Sequence, residues 1–170
     1  RDFASIRDMG FDTIWVMGIF PIGERGRGGS AGGSPYSIRD YETVHPDLGT
    51  PAEFKALVKR AHRAGLRVVI DFVVNHTSMD SKLLDEDPGF YIHRPAGEGR
   101  PPRGLFEHAG AGGKRTWINH GGYDSYGSLA FWEDTAQLDY SNPALRRRMI
   151  GVVDLWAREY GVDGFRVDMA

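Results

Sequence analysis

The sequence predicts an α/β fold with parallel strands, and three observations carry that prediction. One local pattern occurs three times: the tail of a helix, a glycine, one or two further residues and an apolar run. It reads IRDMGFDTIWVMGIF from Ile6, AHRAGLRVVIDFVVNH from Ala61 and AREYGVDGFRVDMA from Ala157. The first two runs, TIWVMGIF and RVVIDFVV, are almost unbroken in apolar residues, as strands covered on both faces should be. Helical periodicity fills the stretches before the second and third runs, and strands that alternate with helices pair in parallel through right-handed crossovers. Sheets of this kind are either doubly wound or closed into an eight-stranded barrel, and periodicity does not choose between them.

Taken in order, the elements begin with Phe3, Ile6 and Met9 at helical spacing and Gly10 as a C-terminal stop, so the chain opens in the tail of a helix. Residues 51–64 form the middle helix. Thr50 is its N-cap, Pro51 takes the favoured first position, and Glu53 completes a capping box. Its apolar stripe is Phe54, Leu57, Val58 and Ala61. The last helix starts at Asn142 with Pro143 behind it and ends at Gly161. It turns Leu145, Met149, Val152, Val153 and Trp156 toward the core. Residues 77–141 are irregular and rich in glycine, proline and aromatics, too long for a structureless loop in a compact domain, which predicts a small inserted subdomain. The expected organisation is therefore 1–76, an insert over 77–141, and 142–170. The chain begins on Arg1 rather than Met and stops directly after its third run, which reads as a fragment and leaves its location open.

Composition narrows the function. With 41% hydrophobic and 26% charged residues, 170 residues supply one real core. A net charge of −2 gives no reason to expect nucleic acid or an anionic membrane surface, and Arg146, Arg147 and Arg148 point in successive directions around a helix. No cysteine is present, which excludes disulfides and Cys-based metal sites. No apolar stretch approaches the ~20 residues that cross a bilayer. The run GERGRGGSAGGS (23–34) lacks the Gly-Lys-Ser/Thr ending of a phosphate loop and reads as a flexible connection.

The third apolar run carries charges. Strand side chains alternate faces, so Phe165, Val167 and Met169 share one side while Arg166 and Asp168 share the other. The second run ends Asp71-Phe72-Val73-Val74-Asn75-His76. In a parallel sheet all C-terminal ends lie on one rim, so Asn75, His76, Arg166 and Asp168 can converge there, with Asp71 deeper and in reach of the Arg166 guanidinium. Asp71 and Arg166 alone fit a structural ion pair, and a lone His76 fits a structural histidine. Asp168 is different, because a carboxylate held ionised beside a cation suits a nucleophile or the stabilisation of a cationic transition state.

These residues carry a resemblance. DFVVNH (71–76) and GFRVD (164–168) are similar to the first and second short motifs of the α-amylase family of glycoside hydrolases, in the same order. SPYSIRDYETVHPDLGTPAEFKALVKRAH (34–62) resembles that family's stretch after its second barrel strand. The resemblance implies a fragment of a (β/α)8 TIM barrel, roughly strands two to four, with the insert following the third strand. It implies Asp168 as catalytic nucleophile, Arg166 as the cation that positions it, His76 as a hydrogen-bond partner of a sugar hydroxyl, Asp71 as the brace of Arg166, and Tyr36 as an aromatic platform under the sugar. The implied substrate is an α-glucan or maltooligosaccharide, cleaved with retention and with no cofactor required. The acid, a Glu after the next strand, lies beyond the chain; Glu107, Glu133 and Asp134 sit in the insert, away from any strand end where it belongs.

There are departures from the family pattern. Ser34-Pro35-Tyr36-Ser37 replaces the usual Gly-Tyr-Asp before the platform, and in TAQLDY (135–140) Gln137 stands where calcium-binding members place an Asp. Asn75 remains the one candidate calcium ligand, and the missing carboxylate lowers the expectation of structural calcium. Two rivals remain at this point. One is a non-catalytic relative that only binds sugar or protein. The other is a metal-dependent hydrolase, although His45, His62, His93, His108 and His120 form no ligand motif.

Overall fold

In the computed structural model, which describes residues 3–27, 33–122 and 131–169, the chain opens with helix α1 (Phe3–Asp8) and strand β1 (Thr13–Val16). Helix α2 (Pro51–Arg63) and strand β2 (Arg67–Val73) follow. The insert holds β3 (His76–Ser78), helix α3 (Lys82–Glu86), β4 (His93–Pro95), β5 (Leu105–Ala109), β6 (Arg115–Asn119) and β7 (Thr135–Gln137). Helix α4 (Pro143–Leu155) and β8 (Gly164–Asp168) complete the chain. Arg1, Asp2, Ala170 and residues 28–32 of the glycine-rich run lie outside the described residues.

The main sheet has the order β1-β2-β8, all parallel, with β2 central. Its residues Val68, Ile70 and Phe72 turn to the helices and are buried. The capping box forms as the sequence requires: Glu53 N donates to Thr50 Oγ1 at 3.2 Å, and Thr50 N donates back to Glu53 Oε2 at 2.7 Å. From that start α2 buries Phe54, Val58 and Ala61. Asp163 ties the return of the chain to the sheet, its carboxylate accepting from Val68 N at 2.7 Å and lying 2.8 Å from His62 Nε2.

Between the layers lies an aromatic core. Trp156 is fully buried, stacked on Tyr160 at 4.0 Å and edge-on to Phe20 at 5.1 Å and Phe54 at 5.6 Å. Its indole N–H donates to the Tyr41 carbonyl at 2.6 Å, so a polar group carried into the core finds its partner.

Three expectations about element limits shift. The first apolar run is strand only over Thr13–Val16, because Gly18 takes φ +69° and a Cβ there would stand 3.1 Å from Pro35 Cβ. The chain turns at Gly18, and Ile19 and Phe20 enter the core instead of prolonging the strand. Met9 lies past α1 and is exposed. The last helix does run to Gly161, but its final turn, Trp156–Tyr160, widens to π geometry, and Val153 is only partly buried.

The insert has secondary structure of its own. β4, β6 and β5 form an antiparallel sheet, and β3 pairs antiparallel with β7. No helix among the described residues is long and apolar enough to cross a membrane. Trp15, Met17 and Val167, on or beside the edge strands of the main sheet, remain exposed, the open apolar surface expected of three strands of a larger sheet.

Replacing Trp156 with Ala removes the centre of the aromatic core and is expected to destabilise the fold by about 3–5 kcal/mol; equilibrium denaturation in urea measures it.

Candidate functional site

The register of the central strand pair sets the site. Asp71 lies opposite Arg166, and Val73 opposite Asp168. A single guanidinium nitrogen, Arg166 Nη1, donates to Asp71 Oδ1 at 3.0 Å and to Asp168 Oδ1 at 2.8 Å. The Asp71 side chain is 5% exposed and that of Arg166 44%, so the cation spans a buried carboxylate and one nearer the surface. The guanidinium lies 5.5 Å from the centre of the Trp15 ring, whose π face favours a cation.

His76 opens β3, just past the end of β2. The Tyr41 hydroxyl lies 2.8 Å from the Val73 carbonyl and 3.0 Å from that of His76, bracing the backbone through the bend. The imidazole packs against Trp132 with ring centres 5.0 Å apart. Gly121 lies directly against it: a Cβ there would stand 3.0 Å from His76 Cβ and 2.5 Å from Thr135 Oγ1. Burial lowers the His76 pKa from its ordinary 6.5, while the charges of Asp168 and Asp134 oppose that shift. The ring is thus neutral at neutral pH.

Tyr36 sits in a turn that its neighbours dictate. Ser34 Oγ accepts from Tyr36 N at 3.2 Å, Ser37 N donates to the Ser34 carbonyl at 3.1 Å, and Pro35 fixes the first corner. The Tyr36 hydroxyl rests on Met17 Sδ at 3.3 Å.

These pieces meet in one cavity of about 280 Å³, lined by Tyr36, His76 and Asp168 together with Trp132, Asp134 and Thr135. Arg166 and Asp71 stand behind Asp168. A larger hollow of about 500 Å³, among Phe72, Tyr140, Met149 and Met169, has no carboxylate among the described residues that line it. Sequence reasoning missed Trp132 and Gly121 and set Asp134 aside. All three belong to the insert, where no periodicity exposes them, and the pairing of β3 with β7 carries the end of the insert back to His76. Glu107 is engaged elsewhere, bound to Arg115 at 2.5 Å within the insert's sheet.

Asn75 turns to Gln137 instead of the cavity. Gln137 Nε2 donates to the Asn75 carbonyl at 2.9 Å and to Asn75 Oδ1 at 3.0 Å. A calcium ion needs several oxygens, preferably charged; here an N–H donor occupies both Asn75 oxygens, so these residues do not fit the ion. Among the described residues no group of three or more His, Asp or Glu is placed to hold a metal.

A family model described as alpha amylase, catalytic domain, matches residues 3–170. The chain belongs to the alpha-amylase family. It is 28% identical to oligo-1,6-glucosidase from Parageobacillus thermoglucosidasius over 96% of its own length and 29% of that protein. Among solved structures it is similar to the alpha-amylase of Lactobacillus plantarum, with a TM-score of 0.75 and 37% identity over 99% of this chain and 33% of that one. The maltogenic alpha-amylase AmyB of Thermotoga neapolitana gives 0.74 and 35% over the same shares. The chain thus spans about a third of the alpha-amylase family structures it matches, and its three parallel strands are part of a (β/α)8 barrel without closing one.

Two outcomes follow from this site. His76, His108 and His120 all have pKa values lowered mainly by burial, so the unfolded chain binds more protons once the pH falls below 6.5. Stability is present above that value and lost as the pH falls through the lowered ones; melting temperatures recorded from about pH 7.5 down to 5 should decline, ahead of most carboxylates. Gly121→Ala forces the insert off His76 and is expected to cost about 1–3 kcal/mol by overpacking, measured by chemical denaturation.

Proposed function

We propose that this chain is the nucleophile-bearing part of the catalytic domain of a retaining enzyme, a hydrolase or transglycosylase acting on α-glucosidic bonds. The observation that carries this reading is Asp168, bonded to Arg166, in one cavity with His76 and Tyr36. The substrate class is an α-glucan or maltooligosaccharide, in keeping with the relatives named for amylase and oligo-1,6-glucosidase activity.

In this reading Asp168 attacks the anomeric carbon while the glycosidic carbon–oxygen bond breaks. A carboxylic acid about 5–5.5 Å from it protonates the departing oxygen. The covalent glycosyl-enzyme is then released by water or by a sugar hydroxyl, the former acid now accepting the proton. Arg166 holds the attacking oxygens in place and offsets the charge of Asp71 behind them. Tyr36 offers a flat ring to the sugar face, and neutral His76 offers a hydrogen bond to a hydroxyl. The acid is supplied by a part of the domain outside these residues, as a chain spanning 29% of its curated relatives would require. The chemistry uses two carboxyls and water and calls for no cofactor.

In a longer protein that contains this chain, Asp168→Asn is expected to lower kcat on maltooligosaccharides by about three orders of magnitude or more. An unchanged rate overturns the assignment. The 170-residue chain alone is expected to show no turnover; activity from it would place the acid within the chain, with Asp134 the first carboxyl to test.

A further inference from the structure

Gln137 is buried at the junction of insert and sheet, and each end of its amide is fixed by backbone. Its Oε1 accepts from Gly122 N at 2.9 Å, and its Nε2 donates to the Asn75 carbonyl at 2.9 Å. A backbone N–H only donates and a carbonyl only accepts, so the side chain cannot be turned round without placing like groups face to face. The same Nε2 also donates to Asn75 Oδ1 at 3.0 Å. That settles Asn75 in turn: its oxygen faces Gln137, and its Nδ2 lies 3.2 Å from His76 Nδ1 and 3.4 Å from Gln137 Oε1. An amide NH2 has no acceptor lone pair to offer, so His76 Nδ1 must be the acceptor and the ring proton must sit on Nε2.

We propose that Gln137 is a positioning residue that acts through Asn75 to hold His76 as the Nε2–H tautomer, making the nitrogen that faces away from Asn75 the hydrogen-bond donor of the ring. The same clasp joins insert to barrel with an N–H donor where a cation would need oxygen. The orientation relay stands on its own distances; its use, donation to a sugar hydroxyl in the cavity, rests on the proposed function.

Gln137→Glu keeps the length and branching of the side chain but sets an acceptor oxygen against both the Asn75 carbonyl and Asn75 Oδ1, which breaks the relay. Both of its oxygens accept, so Asn75 turns its NH2 toward position 137 and its oxygen toward His76, and the ring proton moves to Nδ1.

The test is long-range proton–nitrogen correlation spectroscopy on the full chain labelled with 15N-histidine, at mildly alkaline pH, with His76 assigned by the signal missing from His76→Gln. The unsubstituted chain should show Nδ1 in the bare-nitrogen range and Nε2 in the N–H range. Gln137→Glu, with circular dichroism to confirm the fold, should exchange the two. If that variant does not fold, Asn75→Asp tests the last link by setting an acceptor against Nδ1, with the same exchange expected. Nδ1–H in the unsubstituted chain overturns the proposal, as does Nε2–H persisting in a folded variant. A melting temperature that rises with added calcium chloride and falls with a chelator overturns the clasp. None of these readouts uses turnover, so the proposed function can fail while the relay holds, and the reverse.

Discussion

The interaction on which the rest depends is the hydrogen bond from Arg166 to Asp71. Asp71 is a carboxylate buried in the central strand, and a buried charge is tolerated only with a partner. Its partner can reach it only when β8 lies against β2 in the observed register, with Arg166 opposite Asp71. A slip of one residue would send Arg166 and Asp168 to the helix-facing side and Phe165 and Val167 into the barrel interior. One ion pair therefore fixes the register, and the register delivers Asp168 to the cavity. The atoms of the structural ion pair are also those that place Asp168 at the cavity, so a structural reading of Asp71 and Arg166 does not compete with the proposed one.

The insert is held to the barrel by contacts that converge on His76. Tyr41 braces the backbone where β2 ends, and its own carbonyl accepts a hydrogen bond from the indole N–H of Trp156, just past α4. The aromatic core thus reaches the site through one tyrosine. From the other side, Thr135 Oγ1 accepts from Gly121 N at 3.0 Å and donates to the Trp132 carbonyl at 2.8 Å, setting Trp132 beside the imidazole. Ser37 Oγ donates to the Asp134 carbonyl at 2.8 Å and links the Tyr36 turn to the same segment. The cavity walls are thereby cross-braced by backbone groups and short side chains, which lose little conformational freedom on ordering.

Much of this was legible in the sequence, for identifiable reasons. Alternation along a strand placed Arg166 and Asp168 on one face without reference to anything distant, and the common rim of a parallel sheet brought His76 near them. The capping residues Thr50, Glu53 and Asn142 act within a few positions of themselves, so their roles read directly. What escaped was set by contacts between segments far apart in the chain. Gly18 ends β1 because of a backbone angle and the nearness of Pro35, and neither is visible in an apolar run. Trp132 and Asp134 reach the cavity, and Gly121 reaches His76, only through the pairing of β3 with β7. Gln137 was legible as a departure from a family pattern, but its bonds to Asn75 were not.

The absence of a side chain at Gly121 couples two parts of the molecule that look modular. The insert touches the catalytic histidine candidate at a point with no spare room, and the same residue is tied to Thr135 on the strand that returns to the barrel. Grafting a loop region from another member of the family onto this scaffold would therefore have to reproduce that tight crossing, whatever else it altered. At this seam neither the excursion nor the chain leaving the parallel sheet has room for one added methyl group.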